Sequence, residues 1–541
     1  MNGERDTVLR IGVVLDGMRA PAWAAWVLRA IRAHSQLELR LAVISDRGGK
    51  GRRSALFALY EALDRRLFRD TRDALEPVDV SRTLERVPVA RLTAAPEQKD
   101  EGDRRDSDIA GNGSPLDVVV CLGRPVDPGD FPSAVRHGLW YLQLGDPGRY
   151  CGEPALFWEL FFAEPASKSA LESVDQSVQE PRSLYRSATA TDPVSLQRTR
   201  NAAYWKSARF VLRRLEDLAA GRWSPEDEPA NHRGSSRSAP SNADTARHIA
   251  RIARRVTKRK LHRTFLRRQW FLGVRRRQPD TLPHEDPTPW QTVSPPADRE
   301  WADPFVFERD GETLLFFEQL RYPDAHGELA VAQLERNAEL SDPEPILRAP
   351  HHLSYPYVFR DGGDAFMVPE SGDAGRVELW AATDFPIRWN PVAVLLEGVN
   401  GVDASVLRHG GLYWMWVNHA VDGGRLDDET FLYFSDRLDM GWAPHPRNPV
   451  VSDARRARPA GRPFLHRDVV IRPAQDCSGR YGSRVVFNAV DILTPDEYSE
   501  RPVGALGPEW APGSNLGTHT YTFDGSWEAA DCKRLVSRLR R

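Results

Sequence analysis

The apolar and polar positions between 301 and 318 predict a pair of strands. Asp303-Pro304 opens the apolar run Phe305-Val306-Phe307. Asp310-Gly311 supplies a tight turn, and Leu314-Leu315-Phe316-Phe317 returns and ends in the carboxylate Glu318. Two apolar runs joined across an Asp-Gly turn read as a β-hairpin. The unit recurs. Tyr355-Pro356-Tyr357-Val358-Phe359 precedes the turn Asp361-Gly362, and Asp403-Ala404-Ser405-Val406-Leu407 precedes His409-Gly410-Gly411. A weaker copy starts at Gly461-Arg462-Pro463-Phe464-Leu465, and a fifth at His519-Thr520-Tyr521-Thr522-Phe523 with a turn at Asp524-Gly525. A spacing of about 50 residues with several strands per unit is the mark of a β-propeller, here of five blades. An irregular β-sandwich is the competing arrangement of the same strands.

The first third has a different rhythm. The continuous apolar run 8–15 reads as a buried parallel strand, 21–33 as a helix and 37–44 as the next strand, which together open a βαβ pattern. Residues 54–68 and 195–220 read as helices, 116–123 and 138–144 as further strands, and 95–114 as a polar insertion. The expected organisation is multidomain: a parallel-sheet α/β domain over 1–222, a flexible and basic connector over 223–268, and an all-β propeller over 269–541. No GxGxxG follows the first strand, so a dinucleotide site has no support.

Within the connector, 223–245 is polar and reads as a flexible linker, whereas 251–277 holds 12 Lys or Arg and no acid. That run is either a solvated basic helix or a weak contact for an anionic surface. The short apolar stretch 269–275 inside it reads as a strand that completes the fifth blade and closes the ring.

Composition narrows the classes. The net charge of −2 over 541 residues gives no reason to expect a nucleic-acid partner. Four cysteines without a CxxC pair argue against a disulfide framework and a zinc site. No apolar run approaches the ~20 residues that span a bilayer. The first residues carry no secretion signal, and the expectation is a cytoplasmic protein.

In a propeller the first strand of each blade lines the axis, so positions 303, 355, 403, 461 and 519 should meet at one mouth. They are Asp, Tyr, Asp, Gly and His. Asp303 and Asp403, in the same repeat phase, suit chemistry at a glycosidic centre: one carboxylate activates a hydroxyl, another tunes or orients, and an acid serves the leaving group. Glu370, at the end of blade two's second strand, is the candidate acid, with Asp476 in reserve. Trp301 is the candidate sugar platform. Tyr355, Arg472, Gln475, Asp476, Asn488 and His519 are the candidate sugar contacts. Trp389 and Trp442, each followed by a Pro-Val, read as blade packing.

The stretches Trp301-Ala302-Asp303-Pro304-Phe305, Val402-Asp403-Ala404-Ser405-Val406 and Gly517-Thr518-His519-Thr520 resemble blades one, three and five of the glycoside hydrolase family 43 propellers. More closely, 270–541 resembles the N-terminal domain of glucosamine inositolphosphorylceramide transferases. The resemblance implies that Asp303 is the general base, that Asp403 is the supporting aspartate, and that His519 helps hold a central cation through water. No other cofactor is implied. The hydrolases carry their acid as a Glu beside the fourth inner strand, where this chain has Ala460-Gly461-Arg462-Pro463. The first domain resembles the folate-dependent formyltransferases from 138 to 152. Tyr141 and Gln143 stand where that family has Asn and His, which supports the fold and argues against the chemistry. The leading expectation is therefore a carbohydrate-active enzyme of glycoconjugate biosynthesis. A non-catalytic glycan-binding or scaffold protein is the alternative, and formyl transfer to an amino sugar comes third.

Overall fold

The computed structural model describes residues 8–46, 53–92, 115–131, 135–146, 148–150, 154–175, 181–222, 238–322, 324, 326–421 and 424–538. The expected polar insertion at 95–114 and most of the expected linker lie outside them. Two compact units divide the chain, with the boundary near residue 253.

The first unit is built on a seven-stranded sheet. Its order is Val89–Leu92, Leu37–Ser45, Leu9–Leu15, Val118–Cys121, Leu139–Leu144, Ala166–Val174, Arg182–Ala190. The first five strands run parallel, as the continuous apolar runs predict. The last two are antiparallel and were not legible in the sequence. Their buried positions are Ser167, Ser169, Glu172, Ser183, Ser187 and Thr189 as well as Leu171, Leu184, Ala188 and Ala190, so the apolar alternation that announces a strand is missing. The helices Ala22–Ala33 and Leu196–Ala219 bury Trp23, Val27, Leu28, Ile31, Phe210 and Leu215 in the core of this unit. Ser195 caps the second of these helices by accepting from the Arg198 N–H.

The second unit is a five-bladed propeller. Blade one is Arg299–Arg309, Glu312–Arg321, Glu328–Gln333 and Glu344–Leu347. Blade two is Ser354–Asp361, Asp364–Glu370, Arg376–Asp384 and Arg388–Glu397. Blade three is Val402–His409, Leu412–Asn418, Thr430–Ser435 and Ala443–Pro444. Blade four is Phe464–His466, Val469–Asp476, Arg484–Leu493 and Tyr498–Leu506. In blade five, Asn515–Gly517 and Tyr521–Asp524 pair with Trp527–Ser537, which pairs in turn with Leu266–Arg276 and then Gln291–Val293. The expected closing strand at 269–275 is thus present and longer. It binds Trp527–Ser537 without a break from Leu266↔Ser537 to Arg276↔Trp527. The basic connector is half helix, half strand: Asn242–Phe265 is helical, so the helix begins inside the expected linker.

The inner strands of blades one to three share one irregularity. Blade one pairs Ala302↔Glu318 and then Phe305↔Phe316; blade two pairs Ser354↔Glu370 and then Tyr357↔Val368; blade three pairs Val402↔Asn418 and then Ser405↔Trp416. Each inner strand therefore carries one extra residue, a β-bulge. Its backbone is left-handed at Asp303 (φ 52°), Tyr355 (φ 48°) and Asp403 (φ 52°). At Gly461 φ is 125°, and an added Cβ would lie 1.9 Å from the Tyr521 carbonyl oxygen, so only glycine fits there. Trp389 and Trp442 pack in the cluster that joins blades one to three, as expected of them.

Candidate active site at the propeller mouth

A bulge takes its N–H out of the ladder, and a buried N–H needs an acceptor. The blades supply it to one another. Asp303 N donates to Asp531 Oδ2 of blade five (3.1 Å), and Tyr355 N donates to Asp303 Oδ2 (3.3 Å). Asp403 N donates to Glu370 Oε2 (3.2 Å), and Gly461 N donates to the Tyr355 hydroxyl (2.6 Å). These bonds bring positions 303, 355, 403 and 461 together, and position 519 joins them through its ring. His519 Nδ1 lies against the Asp531 carboxylate, and Nε2 is 3.6 Å from Asp303 Oδ1. The His519 ring stacks on Trp270 with centroids 4.0 Å apart.

Asp303 also accepts from Thr520 Oγ1 (2.6 Å). Burial raises its carboxyl to about 6; His519 opposes the rise, and Asp403 and Asp531 add to it. His519 is itself held above its usual value: desolvation lowers it, but Asp531 and Asp303 outweigh that. Asp403 is gripped by Arg458, whose Nη2 also reaches Glu370 Oε2 at 3.2 Å, and Gln475 Nε2 donates to Asp403 Oδ2 at 2.7 Å. Glu370 is pushed well above the usual carboxylate range by burial and Asp403, although Arg458 pulls it down.

Glu318 stands at the register position of Glu370, one blade earlier. Burial, then the negative charges of Asp303, Glu300 and Glu370, push it well above its usual value. Its near neighbour is His352 Nε2 at 3.4 Å, an imidazole that burial holds below its ordinary pKa. Side-chain exposure separates the four acids: 13% for Glu318 and 14% for Glu370, against 6% for Asp303 and 3% for Asp403. The two glutamates are therefore more exposed than the two aspartates. One ligand atom each from Asp303, His519 and Asp531 lies within 4.8 Å of the others, so this trio could hold a cation.

Other expected contacts sit elsewhere. Trp301 is no open platform: it is buried against Phe317 and donates Nε1 to Gln319 Oε1 at 3.1 Å. Arg472 is a buried strut of blade four, bound to both Glu500 oxygens at 2.7 Å and to the carbonyls of Arg456 and Ala457. Asn488 donates to the Arg472 carbonyl, and Asp476 caps a turn by accepting from Ser478 N and Oγ. Tyr355 is fully buried, with its hydroxyl also 2.8 Å from Ser405 Oγ, and serves as a tie between blades. Of the residues that sequence reasoning missed, only Glu318 had a signal. It follows Ala302 by the interval at which Glu370 follows Ser354. Arg458, Asp531 and Trp270 had none.

The far ends of the inner strands enclose a cavity of about 250 Å³ lined by Phe307, Tyr357, Arg360, Arg408, Arg462 and Asp524 among others. Arg462 reaches across to the carbonyls of Phe523, Val306 and Val358, and Arg360 is paired with Asp524. None of the mouth carboxylates lines it.

In the first unit, the Tyr141 hydroxyl donates to Glu172 Oε2 (2.9 Å) and Gln143 Nε2 donates to the Leu144 carbonyl (3.3 Å).

Among solved structures the chain is similar to Zg3597, a family 117 glycoside hydrolase produced by the marine bacterium Zobellia galactanivorans. That likeness is at 12% identity with a TM-score of 0.33, over 49% of this chain and 90% of that one. Two plant proteins named glucosamine inositolphosphorylceramide transferase 1 align more closely in sequence. The Arabidopsis thaliana protein is 31% identical over 37% of this chain and 26% of its own length. The Oryza sativa subsp. japonica protein is 33% identical over 39% and 28%. The chain thus spans about a quarter of the length of these relatives. Residues 293–515, most of the propeller, match the family model described as glucosamine inositolphosphorylceramide transferase 1, N-terminal.

Proposed function

We propose that the propeller acts on a glycosyl bond of a glycoconjugate, with Asp303 as the general base. The observation that carries this reading is the gathering of Asp303, Asp403, Glu370 and Glu318 at one mouth, with the Asp303 carboxyl raised to about 6. A base of that strength takes a proton from an attacking hydroxyl near neutral pH and is not too weak to hold it. Asp403, fixed by Arg458 and Gln475, holds its carboxyl oriented beside it. Glu370 and Glu318 share the role of proton donor unequally. Arg458 and the Asp403 N–H favour the ionised form of Glu370, whereas the carboxylates around Glu318 favour its protonated form. The names of the plant relatives suggest an amino sugar and an inositolphosphorylceramide as the substrate class.

The test is the variant Asp303→Asn assayed with sugar-nucleotide and glycolipid panels. Turnover should fall by at least about a hundredfold in a variant that still unfolds cooperatively, and in the parent it should rise as pH passes through about 6. Unaltered turnover in the variant would end the assignment of the base.

A second reading, a glycan-binding or scaffold protein, is favoured by one observation. Asp303 and Glu370 already accept the bulge N–H groups of neighbouring blades, which is a structural duty. The family model that matches is moreover described as an N-terminal part only. Calorimetric binding of a sugar without product after prolonged incubation would favour this reading.

A further inference from the structure

The helix Asn242–Phe265 has no part in the chemistry above. From 251 to 265 it carries seven Lys or Arg and no acid. Its buried residues are Thr245 and His248, both in the first two turns, and from Ala253 to Phe265 no side chain is buried. Arg251 moors it by donating to the Phe161 carbonyl and lying over the Phe161 ring. Beyond that point the side chains of Arg254, Lys258, Arg259, Lys260 and Arg263 make no hydrogen bond or ion pair among the described residues.

Three large apolar side chains, Val256, Leu261 and Phe265, share the same exposed turns. Leu261 is 53% exposed and Phe265 56%. Arg254, Lys258, Leu261 and Phe265 follow one another at intervals of four, three and four residues, so they form one stripe along the helix. A stripe of unpaired cations that ends in an exposed Leu-Phe pair is matched by one kind of surface. Anionic headgroups take the cations, and the headgroup–acyl boundary takes the apolar pair. A nucleic acid would satisfy the charges and leave Leu261 and Phe265 in water. No helix among the described residues is long and apolar enough to cross a bilayer, so such a contact would lie on the membrane.

We propose that this stripe of the helix Asn242–Phe265 docks the protein on bilayers that contain anionic phospholipid. The proposal stands apart from the chemistry at the propeller mouth.

The test is co-sedimentation of the full chain with vesicles of phosphatidylcholine containing about 30% phosphatidylserine, against phosphatidylcholine alone. Binding should occur only with the anionic vesicles and should weaken as salt rises from about 0.05 to 0.5 M. The double variant Arg254→Gln/Lys258→Gln should lower partitioning by roughly tenfold or more, and Leu261→Ser/Phe265→Ser should also lower it, both with unchanged melting curves. Equal sedimentation with neutral vesicles, or none with either, overturns the proposal. So does undiminished binding by Leu261→Ser/Phe265→Ser together with equal competition by a single-stranded polynucleotide, which would mark a nucleic-acid surface instead.

Discussion

Asp403, which is buried, and Glu370, which is partly so, share one cation. Arg458 binds both, and the cost of taking its guanidinium out of water is offset only while these acids face it. Removing the cation alone is therefore worse than removing a pair. Arg458→Gln is expected to lose about 3–5 kcal/mol of stability at neutral pH, read by urea denaturation, and adding Glu370→Gln should restore part of it. Asp303 carries a pH signature of the same origin. Its folded value, about 6, lies above the ordinary aspartate value, so on raising the pH the unfolded chain gives up its proton first. Its contribution is fully present below about pH 4, falls as pH rises, and is lost above about 6. The stability of Asp303→Asn should lack this fall when compared with the parent across that window.

At the scale of the element, the bulge is the device that turns a strand into a wall of the site. It frees an N–H, swings residues 303, 355 and 403 into left-handed backbone, and forces each blade to borrow an acceptor from another. The fourth copy uses glycine because blade five comes too close. Gly461→Ala places a methyl against the Tyr521 carbonyl, where backbone and not a flexible side chain must yield. A loss of about 4 kcal/mol or more is expected, since severe losses arise where strain and overpacking coincide. Failure to express in folded form, or a large fall in melting temperature, is the measurement. Alanine at Gly513, which meets nothing within 4 Å, gives the comparison for backbone strain without a clash.

For the propeller as a whole, closure depends on residues far apart in the chain. Leu266–Arg276 and Trp527–Ser537 bind along eleven residue pairs, and Leu272 and Val274 fill the core against Trp301, Trp527 and Ala529. Contacts of such long sequence separation form late and leave an edge exposed until they do. Leu272→Pro removes a central ladder bond and a core side chain together. It should yield protein that elutes as aggregates in size-exclusion chromatography, while Val8→Ala, at an exposed strand end in the first unit, should not.

Much of this architecture was written in local pattern. Alternating apolar residues, Asp-Gly turns and a repeat near 50 residues are short-range physics, and they were enough to place five blades, their phase and the closing strand. The same phase named Asp303, Asp403 and Glu370, and it would have named Glu318. What only the tertiary structure decided is which polar group meets which. Asp303 meets Asp531 across 228 residues, and no local pattern encodes that pairing. For the same reason Trp301, Arg472 and Asn488, open in the sequence to a role in sugar binding, proved to be buried ties. Burial and partnership depend on the whole ring, whereas strand and turn depend only on neighbours along the chain.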